Sequence, residues 1–281
     1  MSNDIHWFPG HMNKALHEVE EKIKLMDVII ELLDARAPLS SVNGRLEKAT
    51  QHKKKLYLIS KADLADEKQT QLWMKYFANQ DSEVLVVNLT DKNCYNAIAN
   101  AVIRLGKSKW AKEMARGMKP QPIRTMIIGI PNVGKSSLIN LLAKRKAAGV
   151  QNKPGYTRGE QWIRVNKDFM LLDTPGILPM SYESKEKAAN LALIGSIRED
   201  ILPNHELVEI LLNVFKKHYP DALKQRFDID EITNAQEVIP LIASRRGLLS
   251  SNNQLALEKA ESLLLKEFKD GLLGRMTLEW R

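Results

Sequence analysis

A chain of 281 residues, 44% of them apolar, has material for one large domain or two smaller ones with proper cores. Its 42 basic and 34 acidic residues leave a net charge of +8, which favours a polyanionic partner, either nucleic acid or an anionic surface. Cys94 is the only cysteine, which excludes an intrachain disulfide and a cysteine-built zinc site.

In chain order, the opening MSNDIHWFPGHM has no apolar core of signal-peptide type. Met12, Leu16, Val19, Ile23 and Met26 then fall on one face of a helix. Short β-rich runs follow at 28–33, 55–60, 83–89, 124–130, 162–165 and 169–173, with helical patterns such as 66–79 and 95–106 between them. The apolar runs are interrupted (Val28-Ile29-Ile30 meets Glu31 and Asp34) and fall far short of the roughly 20 residues of a membrane span. A cytoplasmic protein without membrane partners is expected.

Alternation of strands and helices implies an α/β domain with a mainly parallel sheet, whose ligands sit beyond the carboxyl ends of the strands. Residues 107–122 lack a sustained apolar face, end in two prolines, and read as a partly helical connector. The stretch Arg104–Arg124 holds seven basic residues against Glu113, a candidate polyanion contact. After about residue 182 the strand signals fade. Leu207, Ile210, Leu211 and Val214 repeat at helical spacing, as do Leu257, Ala260, Leu264 and Phe268. The expected organisation is a first domain over 1–182 and a small all-helical domain over 200–281. Residues 221–281 carry nine basic and ten acidic side chains, so the net positive charge lies elsewhere.

The segment Gly129-Ile130-Pro131-Asn132-Val133-Gly134-Lys135-Ser136 matches G-x-x-x-x-G-K-[ST] and lies between a predicted strand and a helix opening at Ser137, the context this phosphate motif requires. Its glycines let backbone N–H groups turn inward, and the helix N-terminus adds a positive dipole end. Asn132, Val133, Gly134, Lys135, Ser136 and Ser137 are the expected phosphate cradle, with Lys135 on the β- and γ-phosphates and Ser136 on Mg²⁺. Asp173-Thr174-Pro175-Gly176 ends a later apolar run. Asp173 there suits Mg²⁺, and Gly176 can bring its N–H to the γ-phosphate; alone, such residues form an ordinary turn. Between them, Lys153–Gly159 has the glycines of a switch segment, with Thr157 a candidate Mg²⁺ ligand. An ordinary polar loop is the alternative.

Ser60-Lys61-Ala62-Asp63 follows a strand and resembles the Asn-Lys-x-Asp guanine motif of GTPases. Asp63 can accept from guanine N1–H and the 2-amino group, donors that adenine lacks on that edge. The stem of Lys61 can cover the sugar and base. Ser60 replaces the usual asparagine, and a hydroxyl supplies only part of an amide's bonding. Asn88 ends the next strand, where a backbone contact to the base is expected. The base motif precedes the phosphate motif, the reverse of the common order, and a circular permutation accounts for it.

Together with Trp7-Phe8-Pro9-Gly10-His11-Met12 and Asp34-Ala35-Arg36-Ala37-Pro38, these motifs make nearly the whole chain resemble the circularly permuted GTPases, in particular those of ribosome assembly. The resemblance implies a P-loop GTPase fold followed by a helical C-terminal domain. It also implies GTP and GDP as ligands with Mg²⁺, and a late step of large ribosomal subunit maturation with rRNA contacts; DNA is not expected as a partner. Ile177 stands where many GTPases carry a water-orienting glutamine. The family match suggests His11 as the catalytic group instead; a helix-start histidine that packs or binds RNA is the alternative. Asn132 resembles the asparagine of potassium-activated GTPases, implying K⁺ there, or only a stabilised loop. An Asp34–Arg36 pair can fix the adjacent loop. Trp7 and Phe8 read as anchors, and Lys144, Arg145 and Lys146 as an RNA contact or a solvated helix end. A P-loop ATPase or kinase, a nucleotide-gated binding module and a membrane-surface protein are the competing functional readings.

Overall fold

A run of apolar residues that includes a buried carboxylate organises the molecule. The computed structural model describes residues 10–143, 162–172, 184–197, 202–252 and 254–281, with the backbone alone at 10–16 and 45. Val28–Asp34 forms the central strand β1, buried along its whole length. Val28, Ile30 and Leu32 enter one hydrophobic cluster, while Ile29 and Leu33 enter two others on the opposite face. Burial on both faces is what a parallel strand covered by helices requires, and it explains the near-continuous apolar sequence.

Around β1 the strands are β2 (Lys54–Ser60), β3 (Ser82–Val87), β4 (Ile123–Gly129), β5 (Trp162–Arg164) and β6 (Phe169–Leu172). They form one sheet in the order β3-β2-β1-β4-β6-β5, all parallel except β5, which pairs antiparallel with β6. The chain steps outward from β1 to β2 and β3, then returns to the other side of β1 with β4. The crevice between β1 and β4, at the carboxyl ends, is the switch point where α/β sheets bind ligands.

One face is covered by α1 (Gly10–Lys24), α2 (Gly44–Thr50) and α3 (Glu67–Phe77), the other by α4 (Cys94–Ala115) and α5 (Lys135–Ala143). Val19 and Ile23 seat α1 against Ile29, Met126 and Ile128, as the helical spacing predicts. The side chain of Asp66 accepts from Gln69 N at 2.8 Å and starts α3.

Two boundaries differ from the sequence expectation. Residues 107–115 are not connector but the last turns of α4. Lys109 pairs with Glu113 one turn on at 2.9 Å, and Trp110 Nε1 donates to Gln121 O at 2.9 Å, so the helix continues and the prolines dock against it. The connector is therefore 116–122, and part of its expected positive face is neutralised by Glu113 and by the Arg104–Glu83 pair at 2.6 Å. The strand expected over 83–89 stops at Val87, because Asn88 Oδ1 accepts from Thr90 N at 3.0 Å and turns the chain.

Beyond the sheet come α6 (Lys185–Leu193), α7 (Asn204–His218), α8 (Lys224–Phe227), α9 (Ala235–Arg245) and α10 (Leu257–Lys269). Their buried residues, including Leu191, Leu207, Ile239 and Leu264, share a cluster with Ile30, Ile98 and Leu138 of the α/β part. Each such buried leucine or isoleucine contributes about 1.5–3 kcal/mol relative to exposure, so the helices are firmly seated. No described helix is long and apolar enough to cross a membrane.

Candidate nucleotide-binding site

The phosphate motif forms the loop from the end of β4 to the start of α5. Gly129 and Gly134 have φ of +155° and +109°. A Cβ would meet Leu32 O at 2.8 Å at the first, and Leu89 Cδ1 at 2.9 Å at the second. Asn132 also takes a left-handed φ of +57°, which asparagine tolerates better than most residues. Lys135 folds across the loop, its Nζ donating to Gly129 O at 3.0 Å and Ile130 O at 2.7 Å. Ser136 and Ser137 are exposed in the first turn of α5, while Val133 is buried beneath the loop.

The Ser60–Asp63 motif lies at the end of β2. Ser60 is buried, and its Oγ sits 3.0 Å from Leu33 O and 2.9 Å from Val133 O. Its single proton serves one carbonyl at a time. The hydroxyl thus ties the base motif to the phosphate loop. Lys61 has a φ of +55°, and its Nζ pairs with Asp34 Oδ2 at 2.9 Å. Asp63 is exposed and has no hydrogen bond to another described residue. The side-chain oxygen of Asn88 closes its own turn with Thr90.

Asp34 and Arg36 bear out the loop-fixing pair. Asp34 is fully buried and accepts from Arg36 N, Nε and Nη2 at 3.1, 3.0 and 2.8 Å. Burial pushes its carboxyl up, yet the Arg36 guanidinium and Lys61 ammonium together hold it below the usual range. Arg36, 2% exposed, reaches further than its sequence motif announces: Nη1 donates to Lys269 O at 3.0 Å and Nη2 to Ile194 O at 3.2 Å. A second link joins the phosphate loop to the helices, from Asn132 Nδ2 to Gly195 O at 2.8 Å.

Base and phosphate motifs thus lie at the carboxyl ends of β2 and β4, the strands on either side of β1, in the reverse of their common sequence order. Thr157, Asp173, Gly176 and Ile177 lie outside the described residues, as do Trp7, Phe8 and Lys144–Lys146. His11 opens α1, and its side chain is likewise outside them. Sequence reading missed the segment after α10, where Arg275–Arg281 returns to the base motif. The alternation Met276, Leu278, Trp280 was the signal of an extended segment.

A family profile described as "50S ribosome-binding GTPase" matches residues 124–244. Ribosome biogenesis GTPase A of Bacillus cereus is 42% identical over 276 residues, covering 98% of this chain and 93% of its own. Mitochondrial ribosome-associated GTPase 1 of Bos taurus is 30% identical, covering 97% of this chain and 88% of its own. Among solved structures, the GNP-bound YlqF of Thermotoga maritima is similar with a TM-score of 0.65 and 25% identity, covering 95% of this chain and 98% of the other. The GDP-bound structure of YlqF gives the same TM-score and identity over 94% of this chain and 98% of the other.

Proposed function

Because the chain belongs to the ribosome biogenesis GTPase A family, we propose that it binds the large ribosomal subunit precursor through rRNA and promotes a late step of its maturation in the cytoplasm, with the particle stimulating hydrolysis. The chain is a GTPase with a permuted motif order. The observation that carries the site reading is the Ser60 tie. One buried hydroxyl joins the guanine motif to the phosphate loop at 2.9 Å, which supports a reading in which one nucleotide spans both.

In this reading, Asp63 selects guanine, Lys61 covers the base and sugar, and Asn88 contributes its backbone. Asn132, Val133, Gly134, Lys135, Ser136, Ser137 and Gly176 hold the phosphates. Ser136, Thr157 and Asp173 form a set of hard oxygen donors suited to Mg²⁺. When bound, that ion neutralises charge on the β- and γ-phosphoryl oxygens. Asn132 suits K⁺ through Oδ1 alone, because Nδ2 is held by Gly195 O. His11 orients the attacking water in place of a glutamine that Ile177 cannot mimic. The helical region over 200–281 and the basic residues between Arg104 and Arg124 are the proposed rRNA-facing surfaces, the second of them supported by its seven basic residues.

The test is GTP turnover alone and with immature large-subunit particles, with ATP as competitor. Slow turnover alone, acceleration by the particle, and displacement of bound GDP by GTP but not ATP are expected. Equal displacement by ATP contradicts the guanine assignment. Turnover indifferent to the particle favours a nucleotide-gated binding module instead. His11→Ala is expected to lose the acceleration while keeping GDP affinity; unchanged acceleration sinks the catalytic role.

A further inference from the structure

Beside its own turn bonds, Leu64 N to Lys61 O at 2.9 Å and Ala65 N to Ala62 O at 3.4 Å, the loop Lys61–Asp66 has partners far away in sequence. Arg275 Nη2 donates to Ala62 O at 3.0 Å and its Nε to Ala65 O at 2.9 Å. Met276 N donates to Leu64 O at 2.9 Å, and Asp66 N donates to Thr277 Oγ1 at 3.1 Å. Leu64 packs on Gly271, where an added Cβ would lie 2.6 Å from Leu64 Cδ2. The strap that supplies these bonds is itself held along its length. Thr277 N donates to Tyr219 Oη at 2.8 Å, and Leu278 N donates to Arg36 O at 2.8 Å. The Glu279 carboxylate accepts from Leu39 N at 2.6 Å and Ser40 N at 2.8 Å, as well as from the Ser40 hydroxyl. Trp73 Nε1 donates to Glu279 O at 3.1 Å, and the Arg281 guanidinium lies 3.7 Å from the Tyr76 ring centre.

We infer that the strap Arg275–Leu278 is part of the guanine site and that Arg275 is a positioning residue for Asp63; this rests on the proposed guanine role of Asp63. A carboxylate that reads two donors of a base must be held to within about 0.5 Å and 10–20°. Lys61 enters the loop in a left-handed conformation that costs free energy unless its surroundings fix it. Asp63 lies between Ala62 and Leu64, whose carbonyls are both held by strap donors. Without those donors, the loop exchanges fixed partners for water and the carboxylate loses its aim. The coupling is reciprocal, so guanine binding also stabilises the strap, and a partner that lifts the strap weakens guanine binding.

The experiment is equilibrium titration with GDP and ADP of the wild-type chain, Arg275→Ala, Arg275→Lys, Thr277→Val and Asp63→Asn, with thermal melting of each. Arg275→Ala removes the two charged-donor hydrogen bonds to the loop carbonyls and the 3.4 Å pair with Glu67, and is expected to weaken GDP about tenfold, leaving ADP unchanged, so that discrimination falls. In turnover, KM for GTP should rise with kcat changed less than about twofold, the pattern of lost uniform binding. Arg275→Lys, which keeps one donor head, should recover part of the loss, and Thr277→Val should show a smaller weakening. Wild-type GDP affinity in Arg275→Ala overturns the inference, as does a loss shared equally by GDP and ADP. If Arg275→Ala fails to fold, wild-type GDP affinity in Thr277→Val with a lowered melting temperature overturns it. Should Asp63→Asn keep its GDP affinity, the guanine role of Asp63 fails first; a loss there with none in the Arg275 variants overturns the strap alone.

Discussion

The phosphate loop and the guanine loop lie at the ends of the two strands that flank β1 but are built in different ways. The phosphate loop carries most of its geometry locally, with single ties from Asn132 to Gly195 and from Val133 to Ser60. Its left-handed positions fall on Gly134 and Asn132, its lysine folds back on Gly129 and Ile130, and α5 begins within the motif. The guanine loop takes its geometry from elsewhere: Lys61 leans on Asp34, Ser60 on Leu33 and Val133, and Ala62, Leu64 and Ala65 on the C-terminal strap. A local loop is damaged by changes within it. A loop held at long range is damaged by changes more than two hundred residues away.

The largest expected effect sharpens the local half. Lys135→Ala removes the cation at the phosphates and should lower turnover at least on the order of 10²-fold, in the range found when a charge-stabilising donor is lost. Retention of wild-type turnover breaks the phosphate assignment. Arg36→Ala tests the long-range half. It leaves the fully buried Asp34 to the Lys61 ammonium and frees the Lys269 and Ile194 carbonyls. Breaking a buried pair costs about 3–5 kcal/mol, so denaturant unfolding should show a large loss. Arg36→Lys should rescue little, because an ammonium cannot reproduce the planar fork.

Glu31 separates global stability from loop geometry. It lies mid-strand in β1, 3.7 Å from Lys55, and burial outweighs that attraction and raises its carboxyl to about 7. A folded pKa above the unfolded 4.5 means that its contribution is full below pH 4.5 and is lost as pH rises towards 7. The shift corresponds to an upper limit of about 3 kcal/mol between those pH values. Glu31→Gln should therefore gain stability relative to wild type as pH rises from 4.5 to 7, by melting, with GDP affinity unchanged. A parallel gain in affinity would show that binding follows stability rather than loop contacts. The smallest effect is at the junction of the loops: Ser60→Ala removes the one donor shared by Val133 O and Leu33 O and should cost roughly 1 kcal/mol of GDP affinity. An unchanged titration would show that the two loops are positioned independently.

This contrast also explains what the sequence disclosed. Strands β1, β2, β4 and β6 were legible because apolar runs buried on both faces need few other signals. The phosphate loop was legible because glycine spacing records its own backbone. Asp34 and Arg36 were recognised as a pair, but nothing local announces Lys269 and Ile194 as partners of Arg36. The end of α4 was misjudged because Trp110 and Lys109 find their partners in the proline segment folded back on the helix. The strap escaped because its bonds to the guanine loop are made by main chain, one arginine and one threonine hydroxyl, and such contacts leave no residue-type pattern.

Amide hydrogen exchange across the whole chain, with and without saturating GDP, tests the account most directly. It predicts that protection rises together at 129–136, at 61–66 and at the Met276 and Leu278 amides, which donate to Leu64 O and Arg36 O. Protection confined to the phosphate loop, with the strap exchanging equally in both states, would contradict it.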